Sequence, residues 1–390
     1  MSLMRFAVDA HAIGRHLTGN EVYVRSLLRE FAELDRESEF IAYVSGKEAE
    51  PWIPRRINMR QVSANPWSRL GWDLARLVRQ DQPDLLHVQY TAPLGGNTPI
   101  VVTVHDVSFL EHPEYFPALR RAQLRFTVAR TVQVAAKVLT VSEFSRDSIL
   151  RHYNVAPDKV HVVPNAASPE FRVIGRERAV ASVHRAYGFS APFVLSVGDI
   201  QPRKNQIGLI AAFAKTIAEH PNLKHHLVLT GQETWFAPRV RDAARQSGLG
   251  DRIHFTGFVP DQALLELYNA CDCFVFPSFY EGFGLPIIEA MACGRAVACS
   301  NTAAMQEVAD GAGLLFNPHD IADIQHCMED ILLDPELRAR KERLGVQRAT
   351  YFSWQKSARA TLEVYREVVE ARAGRKNKAA VRVTAGTSGN

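Results

Sequence analysis

The chain has 390 residues and 46% of them are hydrophobic, so it is long enough to bury two cores. Its net charge of +4 is mild and its basic residues are spread out, which argues against nucleic acid as a partner. No apolar run reaches the about 20 residues that span a bilayer, and no signal-peptide pattern opens the chain. We therefore expect a cytoplasmic protein, with at most peripheral contact at the inner face of the membrane.

The first half alternates short apolar segments with amphipathic ones. The predicted strands are "RFAVDA", "EFIAYVS", "DLLHVQY", "PIVVTVHD", "KVLTVS" and "KVHVVPN". The segment "EVYVRSLLREFAEL" between the first two has apolar residues at helical spacing. This alternation favours a parallel sheet with right-handed crossovers.

The second half repeats the same rhythm after a break at "PNAASPEFRVIGRERAV", where prolines and polar residues end the periodicity. Its predicted strands are "PFVLSVGD", "HLVLTGQ", "IHFTGF", "CFVFPS", "AVACS" and "GLLFNP". We therefore predict two doubly wound α/β domains, at residues 1–175 and 176–354. Residues 373–390 contain too few apolar side chains to pack and are predicted to be disordered.

The cysteines predict neither a disulfide framework nor a metal centre. All five lie in apolar or helical stretches, and no second pair occurs at zinc spacing. They are Cys271, Cys273, Cys293, Cys299 and Cys327. We expect small buried hydrophobic residues in a reducing compartment.

Ligands of open α/β sheets bind at the carboxyl ends of the strands, so the loops there have priority. Arg203 and Lys204 follow "FVLSVG", where a guanidinium and an ammonium can together hold a diphosphate. Gly257 follows "IHF" and allows close approach of a ligand to the backbone. Phe258 and Val259 come next and can flank a flat nucleobase.

The stretch "EGFGLPIIEA" places two carboxylates and two glycines around a predicted helix start. Pro286 suits the first helical position, and Gly282 and Gly284 precede it. The backbone amides in the first turn of such a helix form a phosphate-binding site. Glu281 and Glu289 would repel a phosphate, so each is expected to accept hydrogen bonds from sugar hydroxyls on either side of it. A nucleotide sugar satisfies all of these groups.

The spacing of these glutamates inside "SFYEGFGLPIIEAMACGRAV" resembles the signature of retaining glycosyltransferases of the GT-B fold, in the group 1 or family-four class. The segments "VLTVSEFSRDSI", "VVPNA", "VGDIQPRKN" and "LLELYNACDCFVFPS" occur in the order that this family shows. The resemblance implies two Rossmann-like domains facing across a cleft. It also implies that residues 355–372 form a helix crossing back onto the first domain.

The resemblance implies roles for individual residues. Arg203 and Lys204 match the pair that stabilises the departing diphosphate, Glu289 the acid that holds the ribose, and Glu281 the acid that contacts the transferred sugar. His105 matches a histidine that touches the donor sugar. With these four (His105, Glu281, Arg203 and Lys204) as the catalytic set, the donor site consists of Gly19, Asn20, Gly198, Arg203, Lys204, Gly257, Phe258, Val259, Glu281, Gly282, Phe283, Gly284, Leu285 and Glu289.

This chain departs from the family pattern in two places. Many members have an arginine where this chain has Asp199, so Arg203 would have to supply that charge alone. Many members also have two glycines in the first loop, where this chain has Gly19 and Asn20. Asn20 can adopt the left-handed conformation that such a loop requires.

The residues also indicate a mechanism. Preorganised cations and a helix N-terminus would stabilise the charge that develops on a leaving nucleoside diphosphate. No Asp-any-Asp triplet occurs, so we expect transfer without a metal or other cofactor. The resemblance implies attack from the leaving-group side, with Glu281 as a positioning residue and not a nucleophile. His105 can orient the sugar or be satisfied at a strand end, and Asp106 can cap the following turn.

The sequence indicates less about the acceptor substrate than about the donor. The segment "YFPALRRAQLRFTVARTVQVAAK" carries Arg120, Arg121, Arg125 and Arg130, which suit either anionic lipid or an ordinary solvated helix face. The chain most resembles mannosyl- and related transferases of O-antigen or exopolysaccharide assembly. That subgroup implies a lipid-linked or glycan acceptor, and a GDP-sugar before a UDP-sugar.

Two further functions remain open at this stage. A nucleotide-sugar epimerase on a similar scaffold would act on the donor without an acceptor. A catalytically inactive homologue would serve as a scaffold. A dinucleotide-dependent dehydrogenase is excluded, because the strand-to-helix turns lack the Gly-any-Gly-any-any-Gly fingerprint.

Overall fold

A computed structural model describes residues 3–15, 18–189 and 192–386 of the chain. Two compact units are present: unit 1 is Met1–Val141, Ser145–Pro164 and Trp354–Asn390, and unit 2 is Ser142–Phe144 and Asn165–Ser353. The division after Pro164 lies within the stretch where periodicity breaks, before the predicted boundary at residue 175.

Parallel strands form one sheet in each unit. The strands are β1 Arg5–Asp9, β2 Glu39–Val44, β3 Asn58–Gln61, β4 Leu85–Gln89, β5 Ile100–Thr103, β6 Lys137–Thr140, β7 Val160–Val162, β8 Phe193–Val197, β9 His226–Thr230, β10 Ile253–Gly257, β11 Cys273–Phe276, β12 Val297–Ser300 and β13 Leu314–Phe316. The order is β3-β2-β1-β4-β5-β6-β7 in unit 1 and β10-β9-β8-β11-β12-β13 in unit 2. The predicted pair of doubly wound α/β domains is confirmed.

Helices alternate with these strands. They are α1 Thr18–Leu34, α2 Pro66–Ser68, α3 Leu74–Asp81, α4 Ser108–Glu111, α5 Ala118–Val134, α6 Glu143–His152, α7 Arg176–Tyr187, α8 Gln206–Glu219, α9 Ala237–Gln246, α10 Asp261–Ala270, α11 Leu285–Ala292, α12 Ala304–Ala309, α13 Ile321–Leu333, α14 Pro335–Tyr351 and α15 Trp354–Gly386. A π-helical turn, Arg69–Asp73, joins α2 to α3.

The strands lie where the sequence predicted them, with β3 as the exception. Strands β4 and β11 are buried along their whole length, and such burial favours the apolar residues that made these strands predictable, without a break in β11 and interrupted by His87 and Gln89 in β4. All four residues of β3 are exposed at the edge of the sheet, so no apolar pattern marks this strand.

Helix α15 packs on unit 1, as the predicted crossover helix implies. Its side chains Leu362 and Tyr365 are buried, and the Tyr365 ring lies 5.1 Å from that of Phe6 on β1. The helix continues to Gly386, whereas residues 373–390 were expected to be disordered. Alanine, arginine and lysine are frequent in this segment and have high helix propensity, which composition-based reasoning about packing overlooks. Residues 387–390 lie outside the described range.

Candidate functional site

The loop between β11 and α11 places a helix N-terminus at the carboxyl edge of the unit 2 sheet. Helix α11 begins at Leu285, as predicted, with Pro286 in its first turn. Gly284 precedes it in a left-handed conformation with φ of 99°. The positive φ favours glycine here, and a Cβ atom at Gly284 would lie 3.0 Å from Cδ1 of Ile287, so the end of that side chain would have to shift. The first amides of α11 are thereby available to an anion.

Glu281, three residues earlier, is held between two cations. Its Oε2 lies 2.6 Å from Nη1 of Arg203, and its Oε1 lies 2.6 Å from Nζ of Lys204. Burial alone would raise the pKa of Glu281, but the charges of Arg203 and Lys204 outweigh it and lower that pKa to about 2. Burial lowers the pKa of Lys204, which Glu281 opposes. The structure therefore brings three of the predicted residues into one charged cluster.

Local backbone contacts fix the two cations. Arg203 and Lys204 lie in a 3-10 turn, and Asn205 ends that turn with φ of 51° and caps α8 through its side chain. The carbonyl of Arg203 accepts a hydrogen bond from the Phe279 amide at 2.8 Å, and its guanidinium donates to the Tyr280 carbonyl at 3.2 Å. The loops that follow β8 and β11 are therefore joined.

Glycines create the space in which Lys204 lies. A Cβ atom at Gly198 would be 3.1 Å from Cε of Lys204, so its aliphatic stem runs directly over this glycine. A Cβ atom at Gly231 would be 2.3 Å from the Gly198 carbonyl oxygen. Gly231 is a site residue that the sequence analysis missed. Its position directly after β9, equivalent to that of Gly198 after β8, is the signal that could have found it.

Glu289 lies more than one turn into α11 and is buried. Its Oε2 accepts a hydrogen bond from the Tyr268 hydroxyl at 2.9 Å. Burial, followed by the charge of Glu289, raises the pKa of Tyr268, so this phenol stays a hydrogen-bond donor. Tyr268 on α10 is a second residue that the sequence did not indicate, because nothing in "LLELYNAC" distinguishes it from a core tyrosine.

Asp199 stands where many family members carry arginine, and it has a local structural role. Its carboxylate accepts a hydrogen bond from the Gln232 amide at 3.2 Å, and its carbonyl accepts one from the Gln206 side chain at 3.1 Å. The first contact joins the loops after β8 and β9, and the second connects the loop after β8 to the start of α8. They do not replace the positive charge of an arginine.

The predicted nucleobase contacts are only partly exposed. Gly257 ends β10 with φ of 69°, and its carbonyl accepts a hydrogen bond from the Gly231 amide at 3.0 Å. Phe258 is exposed, whereas Val259 is buried. Of the two side chains expected to flank a base, Phe258 alone is on the surface, because Val259 packs inward ahead of α10. Next to α11, Phe283 is buried too and packs on Phe352, while the Gly282 carbonyl accepts from the Ser142 hydroxyl.

In unit 1, His105 follows β5 and is buried. Its Nε2 lies 2.9 Å from Oε1 of Gln89, and its ring meets the Tyr23 ring edge-on at 4.7 Å. Burial lowers the pKa of His105 to about 4, so the ring is neutral at pH 7. Because Nε2 contacts Gln89, Nδ1 is the ring nitrogen that can contact a ligand. Asp106 accepts hydrogen bonds from the amide and hydroxyl of Ser108, which is the capping role considered for it.

A chain of buried hydrogen bonds anchors the Tyr23 ring. The Tyr23 hydroxyl lies 2.8 Å from Oγ1 of Thr103, which lies 2.7 Å from Nε2 of His87. Nδ1 of His87 lies 2.5 Å from the hydroxyl of Tyr365 on α15. Burial, aided by His105, lowers the pKa of His87 to about 3, so this imidazole stays neutral and links a donor to an acceptor.

Gly19 and Asn20 are not in a loop. Both lie in the first turn of α1, which begins at Thr18, so Asn20 does not adopt the left-handed conformation considered for it. Because α1 starts earlier than the apolar pattern indicated, the amides of these residues belong to a helix N-terminus. Leu17, which directly precedes α1, lies outside the described range.

Across the described ranges, one group of side chains could hold a metal ion: Glu219, His220 and Glu329, with ligand atoms within 4.8 Å of one another. Glu219 ends α8, which starts just after Lys204, so about 20 Å of helix separate this group from the charged cluster. All five cysteines are free thiols. No described helix combines the length and the apolar run that crossing a membrane requires.

Comparison with known proteins identifies two family matches. Residues 185–345 match the family described as glycosyl transferases group 1, and residues 17–171 match glycosyltransferase family 4. The O-antigen chain mannosyltransferase B of Escherichia coli is 32% identical over 266 residues, which cover 68% of this chain and 70% of that protein. The serotype-specific mannosyltransferase WbdA of E. coli is 33% identical over 243 residues, covering 60% of this chain but 29% of that longer protein.

Solved structures share the fold. Sucrose-phosphate synthase from Thermosynechococcus elongatus matches with a TM-score of 0.77 at 20% identity, covering 95% of this chain and 100% of that one. The Anabaena protein HepE in complex with UDP and glucose matches with a TM-score of 0.74 at 17% identity, covering 94% of this chain and 100% of that one. The predicted GT-B class of fold is confirmed.

Proposed function

The chain belongs to the group 1 family of glycosyltransferases, and we propose that it transfers a hexose from a nucleoside-diphosphate sugar with retention of configuration and without a metal ion. The preferred donor is GDP-mannose, with a UDP-sugar next. The acceptor is a glycan or lipid-linked glycan of surface polysaccharide synthesis. Support for the sugar comes from the relatives named as mannosyltransferases.

The contact of Glu281 with Arg203 and Lys204 beside the start of α11 carries this proposal. Two partly exposed cations contact this one carboxylate, so the three side chains together have a net positive charge. A diphosphate brings negative charge that the cations and the first amides of α11 can take up together. This stabilisation grows as the glycosidic bond breaks, because the leaving diphosphate then gains charge.

Glu281 fits a positioning role in this scheme. A carboxylate that contacts two cations and has a pKa of about 2 is a weak nucleophile. Each of its oxygens retains a lone pair that can accept a hydrogen bond from a sugar hydroxyl. Glu281 therefore orients the two cations and the hexose at once. In the retaining route implied by the family, a phosphate oxygen of the donor takes the proton of the acceptor hydroxyl.

His105 contributes a neutral ring. Because Nε2 contacts Gln89, Nδ1 is the atom that can meet a hydroxyl of the donor sugar. A neutral imidazole adds no positive charge near the anomeric carbon, which becomes cationic in the transition state. The proposed independence of metal rests on the two fixed cations, which provide the charge that a divalent ion supplies elsewhere.

The test is product analysis. Purified protein is incubated with GDP-mannose and octyl α-D-mannopyranoside, with and without EDTA, and the linkage is determined by NMR. We expect an α-linked product and no loss of rate with EDTA. A β-linked product would overturn retention, and an epimerised sugar nucleotide formed without acceptor would establish the epimerase. The variant Lys204→Gln serves as the inactive control.

We also propose that α5 contacts anionic membranes peripherally. On this helix Leu119 is 85% exposed and Phe126 is 71% exposed, although both are apolar. Arg120 and Arg125 are exposed beside them. Arg130 differs from the other arginines, since its guanidinium donates to the carbonyl of Pro93 at 3.3 Å. An outer face with apolar residues flanked by arginine suits a surface of anionic lipid.

A further inference from the structure

The end of helix α8 in unit 2 carries a group of side chains that the proposed function does not use. Glu219 is the last residue of α8, and His220 follows it with φ of −124° and ψ of 70°, outside the helix. Consecutive side chains of a helix point about 100° apart and so diverge. The helix break at His220 removes this constraint. A hydrogen bond of 2.9 Å from the Leu223 amide to the His220 carbonyl then fixes the backbone of the following turn.

Packing between helices brings a second carboxylate to the same place. Helix α13 packs on α8 in the core of unit 2, where Met328 lies in one cluster with Ile217. Glu329 follows Met328 on α13 and therefore emerges beside the end of α8. Its Oε1 accepts a hydrogen bond from the buried side chain of Gln325 at 2.8 Å. This contact orients the carboxylate of Glu329.

The spacing of these atoms matches that of ligands of one metal ion. One ligand atom from each of Glu219, His220 and Glu329 lies within 4.8 Å of the other two. Nε2 of His220 lies 3.6 Å from Oε1 of Glu329, which is too far for a hydrogen bond. Two ligands of a tetrahedral zinc ion, each about 2.1 Å from the metal, are about 3.4 Å apart. The imidazole and the carboxylate therefore face each other at the separation that an ion between them requires.

The charge of the group also favours a cation. Among the described residues, neither Glu219 nor Glu329 forms an ion pair with a lysine or an arginine. Two ionised carboxylates this close repel each other, and the repulsion increases where water is partly excluded. The side chain of Glu329 is 12% exposed and that of His220 is 35% exposed, whereas Glu219 is fully at the surface. A dication can therefore reach the group from solvent and neutralise both acids.

The donor set selects the kind of ion. Magnesium and calcium prefer oxygen ligands, whereas imidazole suits zinc and related transition-metal ions. Three protein ligands, with water in the fourth position, are a common coordination of zinc. We propose that Glu219, His220 and Glu329 bind one Zn²⁺ ion, which joins α8 to α13 and stabilises unit 2. The ion takes no part in transfer, because about 20 Å of helix separate it from the charged cluster.

The test is calorimetric titration of the full chain with ZnCl2, after treatment with EDTA and dialysis into metal-free buffer. Glu219→Gln, His220→Gln and Glu329→Gln each remove one ligand, and Gln325→Ala removes only the donor that orients Glu329. His326→Gln is the matched control, because this exposed histidine lies on α13 outside the group. The titration uses neither donor nor acceptor, so its result is independent of the transfer assay. Because Glu219 is exposed, its variant should fold normally.

We expect the wild type and His326→Gln to bind one zinc ion per chain with equal affinity. Each ligand variant should bind zinc about 100-fold more weakly, and Gln325→Ala about tenfold more weakly. Zinc should raise Tm of the wild type and of the control but not that of His220→Gln, and magnesium at the same concentration should raise none of them. A wild type that binds no zinc would overturn the inference, as would equal zinc affinity in the wild type, Glu219→Gln and His220→Gln.

Discussion

At Glu281 a single buried carboxylate contacts both Arg203 and Lys204. Glu281→Gln removes this charge and leaves two cations without their partner. We expect the free energy of unfolding to fall by about 3 kcal/mol and the rate of transfer to fall strongly. The affinity for free GDP should not weaken, because the site that binds the diphosphate becomes more positive. Urea denaturation and calorimetric titration measure these effects. Glu233→Gln, in an exposed ion pair with Arg241, is the control and should change stability by less than about 1 kcal/mol.

Glu289 has a different environment, since its partner is the neutral hydroxyl of Tyr268. Glu289→Gln should weaken binding of free GDP about tenfold, because a carboxylate that accepts from ribose hydroxyls is lost. Tyr268→Phe keeps the carboxylate and removes only its orienting donor, so its effect should be smaller. If Glu281→Gln and Glu289→Gln changed the GDP affinity equally, the division of roles between the two acids would be incorrect.

Residue types at strand ends predicted the candidates in unit 2, but not the contacts among them. Arg203 and Lys204 were read as ligands of a diphosphate and Glu281 as a ligand of a sugar, and the ion pairs that join them come from two loops far apart in sequence. Tyr268 and Gly231 were missed for the same reason, since each acts on a neighbour that only the fold brings close.

At the scale of elements, the start of α11 depends on the left-handed backbone at Gly284. Gly284→Ala should cost about 1–2 kcal/mol of stability and should also weaken GDP binding, because a Cβ atom would press on Ile287 and shift the first helical turn. Gly250→Ala is the control, since nothing lies within 4 Å of a Cβ atom there. Thermal unfolding with and without GDP measures both effects. Unchanged GDP affinity in Gly284→Ala would show that this turn is not the phosphate-binding site.

Elements were predictable where burial imposes an apolar pattern. The continuous apolar run in β11 and the helical spacing in α1 come from packing against a neighbouring layer, whereas β3 lies exposed at an edge and has no such signal. For helix α15, the sequence did not predict the contacts that hold it. Family resemblance implied only that this helix packs on the first domain. Neither the resemblance nor a sequence rule pointed to the ring contact with Phe6 on β1, or to Tyr365 as the end of a buried hydrogen-bond chain.

At the scale of the whole molecule, buried histidines make stability depend on pH. The folded-state pKa values of about 4 for His105 and about 3 for His87 lie below the ordinary value of 6.5, so the unfolded state binds more protons between these limits. Stability should be unaffected by these groups above pH 6.5 and should fall as pH drops from 6.5 towards 4. His105→Gln should reduce this slope in thermal unfolding, and an unchanged slope would contradict the assignment.

Glu281 acts in a lower pH range. Its folded-state pKa of about 2 lies below the ordinary value of 4.5, so its stabilising contribution is complete above pH 4.5 and disappears as pH falls towards 2. The histidines therefore begin to act at a higher pH than Glu281, and the two ranges overlap below pH 4.5.

The outer face of α5 predicts binding to anionic vesicles. A double variant, Leu119→Ser with Phe126→Ser, should sediment less with vesicles that contain phosphatidylglycerol, because the exposed apolar area is lost. High salt should weaken the binding of the wild type through its arginines. Leu344→Ser, at an exposed position on α14, is the control. Equal sedimentation of wild type and double variant would exclude α5 as the contact.

The most direct test of the donor site is a crystal structure of the protein grown with GDP, and in parallel with UDP. We expect the diphosphate to lie against the first amides of α11 and within hydrogen-bonding distance of Arg203 and Lys204, with the ribose hydroxyls on Glu289. A nucleotide bound anywhere else, with the contacts of Glu281 to both cations intact and the start of α11 unoccupied, would contradict the account.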